Sequence, residues 1–301
     1  DVLPSGSAEL RHAIAGCEDG SVLLWRCEDR AEKGSSSGHG DAAQRLVSHG
    51  GRVTSVAVSQ DGLLALSASS DGTARIWGLA DGACKATLAG HAAAVTYATF
   101  CPRGKLALTV CPSERLARVW QVEDGTCLFT LAGHEAYVQD AQFAPDGRSA
   151  LTASLDGTVR LWSLVSGGPD AGLATTASLR WSDKISQVDD GRCLHVLQGH
   201  RGGVNVVAFS PDGLSALSGA SDNEARVWRV EDGTCLRALE GHAGAVTAAA
   251  FAPRGTTAAT ASRDRSARLW RLADGACLRC FEDPHGPMSL VEVSPDGQLL
   301  L

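Results

Sequence analysis

Apolar and polar positions alternate in short runs along this 301-residue chain, and each run stops at turn chemistry. Between residues 204 and 228 the runs are "VNVVAF", "LSALS" and "ARVW", separated by Pro211-Asp212-Gly213 and by Asp222-Asn223. A period of two over four to six residues, bounded by Gly, Pro, Asn and Asp, predicts strands rather than helices. A fourth run, "TCLRALEGH", leads into the next set. The third run carries bulky groups on both faces, Val227 on one and Trp228 on the other, as expected where sheets pack face on face.

The set of four strands is itself repeated. "GHEAYVQDAQFAPDGRSALTASLDGTVRLW", "GHRGGVNVVAFSPDGLSALSGASDNEARVW" and "GHAGAVTAAAFAPRGTTAATASRDRSARLW" are copies of one unit, and "GHAAAVTYATFCPRGKLALT" opens another. With His49, His91, His134, His200 and His242 as origins, a Ser or Thr falls 18 residues later in every copy. An Asp falls 22 later and a Trp 28 later in four of them. From each Trp to the next His is normally 14 residues, so the period is 42. Four short strands per period of this length are the signature of radially arranged blades, each a four-stranded antiparallel sheet.

The Gly-His pair, the Pro-Asp-Gly turn, the Asp six before the Trp and their spacing resemble the WD-repeat (WD40) β-propeller family over nearly the whole chain. The residue after each repeat Trp is never the Asp that gives the family its name. The fold class implied is all-β, a β-propeller of four-stranded antiparallel blades. Six Trp-bearing units, the first without its opening, and a seventh that begins at His285 favour seven repeats with trimmed ends. The alternative is a six-bladed ring closed by Met288 to Val293. The whole chain, 1–301, is then one propeller domain, expected to be a piece of a longer protein.

A His, a Ser or Thr and an Asp recurring together invite comparison with acyl-transfer triads, in which His activates Ser and Asp orients His. Repetition argues against catalysis, because one hydrolase needs one such site. Four intact sets occur: His49/Ser67/Asp71/Trp77, His134/Thr152/Asp156/Trp162, His200/Ser218/Asp222/Trp228 and His242/Thr260/Asp264/Trp270. The resemblance implies that each is a structural tetrad, a buried hydrogen-bond chain within its blade. The third copy carries "VCPSERLARVW" where the Asp turn belongs, with Glu114 near the Asp position and Trp120 one residue late, so its tetrad is expected to be incomplete.

Composition narrows the classes further. With 27 Lys and Arg against 34 Asp and Glu the net charge is −7, and no run of five basic residues occurs, which argues against nucleic acid. No stretch approaches 18 consecutive apolar residues, so no membrane span is expected. Of ten cysteines, Cys84, Cys127, Cys193, Cys235 and Cys277 occupy one position of successive units, too far apart to pair, and are expected to be small buried side chains of a reducing compartment. The compartment expected is the cytoplasm, with the nucleus as the alternative. Cys277-Leu278-Arg279-Cys280 has CxxC spacing but no second pair, and no phosphate loop or HExxH is present, so neither cofactor nor metal is expected.

Two tryptophans, Trp162 and Trp181, lie 19 residues apart, and Trp162 to His200 is 38 residues instead of 14. Removing Ser163 to Ser186 leaves "LWQVDDGRCLHVLQGH", almost a copy of "VWQVEDGTCLFTLAGH". The segment 163–186 is thus an inserted loop in blade four, or a mis-spliced piece translated in frame.

Partners of this family often dock on the narrow top face. Carried over position by position, that face takes Arg52 and Thr54, Thr96, Tyr137 and Gln139, Asn205 and Thr247 from the first strands. Ser70, Leu155, Ser221 and Arg263 come from the positions before the tetrad Asp. Tyr137, Leu155, Arg52 and Arg263 are the expected anchors, since aromatic and Arg side chains carry much of interface energy. The function expected is a non-catalytic scaffold that binds other proteins or peptides within a multi-domain chain or complex. Alternatives are substrate recruitment to a ubiquitin ligase, an RNA-processing or an NTPase signalling complex, and, last, a propeller enzyme.

Overall fold

The computed structural model describes residues 11–27, 44–46, 49–165, 189–283, 286–288 and 290–294. These form six sheets in chain order, almost wholly from strands of four to six residues. The first is three-stranded: β1 (Arg11–Gly16), β2 (Val22–Cys27) and β3 (Gln44–Leu46). The second holds β4 (Val53–Val58), β5 (Leu64–Ser69), β6 (Thr73–Gly78) and β7 (Cys84–Ala89). The third holds β8 (Tyr97–Phe100), β9 (Leu106–Cys111), β10 (Leu116–Gln121) and β11 (Cys127–Ala132). The fourth runs β12 (Val138–Phe143), β13 (Ser149–Ser154), β14 (Val159–Ser163) and β16 (Arg192–Leu197), with β15 (Asp189–Asp190) lying between the last two in sequence. The fifth is β17 (Val204–Phe209), β18 (Ser215–Ala220), β19 (Ala225–Arg229) and β20 (Cys235–Leu239). The sixth is β21 (Val246–Phe251), β22 (Thr257–Ser262), β23 (Ser266–Arg271) and β24 (Cys277–Glu282). This is the blade architecture expected of a WD-repeat propeller.

Each blade is an antiparallel meander, and in sheets two to six the second strand is buried on both sides. The core is therefore a series of layers between neighbouring sheets. Trp77 packs with Val22, Leu24 and Leu46 of the first sheet, Trp120 with Ile76 and Leu88 of the second, and Trp162 with Val119 and Leu131 of the third. Trp228 and Trp270 continue the series on the fourth and fifth sheets. Each repeat Trp thus covers the blade before it, and burying each large apolar side chain stabilises by roughly 1.5–3 kcal/mol. That explains the one period-42 feature of greatest bulk.

Two expectations need correcting. Cys84, Cys235 and Cys277 are exposed and Cys127 and Cys193 only half-buried, not core residues. They sit on the outermost strand, opposite the repeat Trp at a register shift, as in the pair Trp77↔Cys84. There each thiol points at the carbonyl two residues on, for example Cys277 Sγ to Arg279 O at 3.3 Å. The insertion also begins later than Ser163. Ser163 pairs with Arg192, and Leu164 is buried, its N–H donating to the Arg148 carbonyl at 2.8 Å. Leu79, Val122, Val230 and Leu272 make the corresponding bond in other blades, so Ser163 and Leu164 are ordinary blade residues. Residues 166–188, Trp181 included, lie outside the described residues. Just after them β15 pairs in parallel with β11, adding a fifth strand to the outer edge of blade three.

Candidate partner-binding face

The end of the propeller that carries the Asp turns is organised by a side-chain chain repeated in five blades. In blade two Trp77 Nε1 donates to Ser67 Oγ at 2.9 Å, Ser67 Oγ lies 2.7 Å from His49 Nε2, and His49 Nδ1 lies 3.1 Å from Asp71. Blades four, five and six repeat it: His134 to Thr152 at 2.7 Å and to Asp156 at 2.8 Å, His200 to Ser218 at 2.7 Å and to Asp222 at 2.9 Å, His242 to Thr260 at 2.8 Å and to Asp264 at 2.9 Å. Trp162, Trp228 and Trp270 close the inner ends on the same hydroxyls at 2.7–2.9 Å.

The direction of the chain follows from charge. Burial pulls all five histidines below their usual value, against the opposing pull of the neighbouring carboxylate. Burial would also raise the aspartates. Hydrogen bonds outweigh it, from Thr73 and the Gly50 N–H to Asp71, and from Thr158, His134 and the Glu135 N–H to Asp156, holding each at about 2. An ionised carboxylate only accepts, so Nδ1 carries the imidazole proton and Nε2 accepts from the hydroxyl, whose oxygen accepts from the indole. Every buried polar atom along the Trp, Ser or Thr, His and Asp series is satisfied. The arrangement differs from an acyl-transfer triad in access, since Ser67, Thr109, Thr152, Ser218 and Thr260 are all fully buried.

The third tetrad, expected to be incomplete, is complete. Glu114 Oε2 takes the Asp place 2.5 Å from His91 Nδ1, His91 Nε2 lies 2.8 Å from Thr109 Oγ1, and Trp120 Nε1 donates to Thr109 at 2.7 Å. The turn is one residue longer, with a 3-10 turn over Pro112–Glu114 and Arg115 in the left-handed region at φ 60°. The extra methylene of Glu spans the extra length. The signal in the sequence was the paired change, one inserted residue and Glu for Asp.

Two recurring features complete the local structure. Arg75, Arg118, Arg160, Arg226 and Arg268 each precede the repeat Trp by two residues. The guanidinium groups of Arg118, Arg160, Arg226 and Arg268 lie against the Gly of the Gly-His pair, where a Cβ on Gly133, Gly199 or Gly241 would stand 2.6–2.8 Å from Arg Nη1. These glycines have φ between 143° and 156°, so both conformation and space require Gly. Glu224 takes Nε and Nη2 of Arg226 at 3.2 and 2.8 Å, whereas Nε of the other four arginines is buried without a partner.

The candidate contact positions fall into pairs. The N–H of Ser70 donates to Arg52, that of Leu155 to Tyr137, that of Ser221 to Gly203 and that of Arg263 to Ala245, all at 2.9 Å. The structure thus places each position before the tetrad carboxylate beside the first-strand position of the same blade. Tyr137 and Leu155 are 50% and 43% exposed, and Ser70, Arg263 and Gln139 are exposed. Arg52 faces Glu18 of the first blade at 3.8 Å. Three other candidates are engaged between blades. Thr54 Oγ1 donates to the Val95 carbonyl at 2.6 Å, Asn205 Nδ2 to Val246 at 2.9 Å and Thr247 Oγ1 to Met288 at 2.6 Å. Asn205 also bonds Ser221 at 3.2 Å, and Thr96 Oγ1 reaches the Val110 carbonyl of its own sheet at 3.5 Å. These polar groups hold neighbouring strands together, a use that a single repeat read alone does not reveal.

Elsewhere, His91/Cys111/Glu114 and His200/Asp222/Glu224 each bring three donor residues within 4.8 Å, but His91 with Glu114 and His200 with Asp222 are already paired within their tetrads, and Glu224 is paired with Arg226. At the opposite end a cavity of about 500 Å³ is lined by Phe143, Phe209, Phe251, Pro102, Pro145 and Pro211 with Gln60, Arg103, Gln142 and Ser210, none of them an acid or a histidine. Among the described residues no helix is long and apolar enough to cross a membrane.

The family model "WD domain, G-beta repeat" matches five stretches, residues 40–78, 82–121, 125–163, 191–229 and 233–271. The chain belongs to the WD40 family. Each match ends on the strand of a repeat Trp, and the fourth begins at residue 191, past the inserted stretch. Among curated proteins, WD repeat-containing protein 86 of Homo sapiens is 44% identical over 64 residues, 21% of this chain and 16% of that protein. Nuclear distribution protein PAC1 of Arthroderma benhamiae is 31% identical over 188 residues, 62% of this chain and 37% of that protein. The matches thus span well under half the length of these relatives. WD40 repeats generally mediate interactions between proteins.

Proposed function

We propose that this chain is a non-catalytic scaffold that recruits a protein or peptide through the face carrying the Asp turns, with blade four as its anchor. The observation that carries this reading is the pair Tyr137 and Leu155, large apolar side chains half open to solvent and joined by a backbone hydrogen bond at 2.9 Å. A rigid tetrad below fixes them, so a partner loses little by meeting a preformed surface. Arg52 and Arg263 flank the face with charge. Gly203 of the next blade comes close to Leu155, where a Cβ would stand 2.7 Å from Leu155 Cδ2, and so keeps the Leu155 side chain room to lie flat.

The test is capture of binding proteins from extract with the wild-type chain, a Tyr137→Ala/Arg263→Ala double variant and a Leu214→Ala control at the opposite end. Partners are expected to be lost from the double variant and kept by the control. Unchanged capture of every partner by the double variant refutes the assignment of the face.

A further inference from the structure

We infer that the cavity at the end opposite the Asp turns binds a small apolar or aromatic acid as its carboxylate, the anion meeting Arg103 and the Gln142 amide. The repeats supply their own controls, because each lining position has a counterpart in the other blades. Phe143, Phe209 and Phe251 stand nine residues after the tetrad histidines of blades four, five and six and give the cavity an aromatic wall. Their place in blade two is taken by Val58, 40% exposed, which leaves the wall open on that side. A cavity of about 500 Å³ with an apolar wall and few polar groups has the size and make-up of a small-ligand site.

The polar lining falls where the repeat is broken. Eight residues after the histidine, blades two, five and six carry Ala57, Ala208 and Ala250 and blade three carries Thr99, whereas blade four carries Gln142. Gln142 Oε1 accepts the Phe209 N–H at 2.5 Å and so ties blade four to blade five. A backbone N–H only donates, so the amide oxygen is the atom that faces it, and the NH2 is what Gln142 offers the cavity. Asp140, two residues earlier on the same strand, meets the Val207 N–H in the same way and is not among the lining groups.

Arg103 is the second break. Twelve residues after the histidine, blades two, four and five carry Asp61, Asp146 and Asp212, each accepting the N–H two residues on at 2.9–3.0 Å. An arginine cannot accept, so blade three gives up that turn bond and sets a guanidinium at the cavity instead. Blade six makes the same exchange at Arg254, which is not among the lining groups. The Arg103 stem lies on blade four, where a Cβ on Gly147 would stand 3.6 Å from Arg103 Cδ. Among the described residues no acid lines the cavity to neutralise the guanidinium. The Ser210 hydroxyl is closed within its own turn, on Asp212 at 2.6 Å and the Ser215 N–H at 2.9 Å. Donors therefore predominate over a wall of aromatic rings. An anionic acceptor on an apolar body answers both, whereas a cation meets repulsion at Arg103.

The experiment titrates phenylacetate, with phenylacetamide as its uncharged match, into the whole chain and follows the ligand's NMR signals. Wild type is expected to bind the acid at millimolar concentration and the amide about tenfold more weakly. Arg103→Asp restores the residue of blades two, four and five, so the melting temperature is expected to hold or rise while acid binding falls about tenfold or more. Gln142→Glu keeps an acceptor for the Phe209 N–H and removes the NH2, and is expected to weaken acid binding likewise. The Tyr137→Ala/Arg263→Ala double variant, altered at the other end, is expected to bind the acid as wild type does. Absence of acid binding by the wild type overturns the inference, as does equal binding of acid and amide, or undiminished binding by a folded Arg103→Asp chain. Loss of binding in the double variant also overturns it, because the acid then sits on the Asp-turn face. So does a peptide ending in phenylalanine that binds where the free acid does not, since the cavity then holds the terminus of a partner chain.

Discussion

Glu114 receives the Nδ1 hydrogen of His91 at 2.5 Å across a turn one residue longer than its counterparts, and its second oxygen accepts the Ala92 N–H at 3.1 Å. Length of side chain and length of turn are matched. Glu114→Asp is therefore expected to destabilise despite restoring the residue type of the other blades, because the shorter carboxylate leaves a buried imidazole N–H short of its acceptor. A buried donor left unsatisfied costs about 1–3 kcal/mol. Urea denaturation should show a lower midpoint for Glu114→Asp, and a variant as stable as wild type would contradict the matched-length account.

The same comparison shows which features a single repeat can and cannot disclose. Period, strand number and the His, Ser/Thr and Trp positions are readable because each is a property of one blade and recurs six-fold or nearly so. Thr54 is different, since its state depends on the sheet next door. Thr54 looked like a surface hydroxyl and is a bond to the next blade, and the recurring Cys looked like core and lies at an outer bulge. Hydrophobic pattern fixes a face, not the neighbour that covers it.

Arg265 has φ 71° at the position after the tetrad Asp, where Gly72 and Gly157 adopt 85° and 82° and Asn223 adopts 71°. A side chain in the left-handed region costs about 1 kcal/mol relative to Gly, and Asn tolerates it better than Arg. The Arg265 N–H and carbonyl bonds, to Ser262 and Asp283, belong to the backbone and survive substitution. Arg265→Gly is thus expected to raise the melting temperature by about 2 °C, and calorimetry giving a fall would show that the arginine side chain contributes more than its strain removes.

Thiol chemistry separates the cysteines by depth. Cys84, Cys235, Cys277 and Cys280 are exposed, whereas Cys101 and Cys111 are buried, and burial pushes their thiols up. The thiolate is the reactive species, so the buried pair is doubly protected. Titration of the native chain with a chromogenic disulfide is expected to label the four exposed thiols at once, with Cys101 and Cys111 following only in denaturant. Peptide mapping that finds Cys101 or Cys111 among the rapid sites would contradict this packing.

Stability should fall on the acid side, and the sign follows from the tetrads. The five tetrad histidines are held below 6.5 in the folded state by burial, so below pH 6.5 the unfolded chain binds more protons. Their contribution is intact above pH 6.5 and is lost as pH falls from 6.5 through the folded values. Asp71 and Asp156, at about 2 against 3.8, add a second loss between pH 3.8 and 2. Asp140 opposes both: burial raises it to about 6, against the Val207 and Ala141 N–H groups it accepts at 3.0 and 2.8 Å. It stabilises increasingly as pH drops from 6 towards 3.8. One such group does not offset five histidines, so the urea midpoint is expected to decline steadily from pH 7 to pH 4, and a midpoint that climbs over that range would contradict neutral buried imidazoles. Asp140→Asn removes the charge and keeps one acceptor, for Val207, while its NH2 replaces the oxygen that accepts from Ala141, so its stability relative to wild type is expected to be higher at pH 8 than at pH 5.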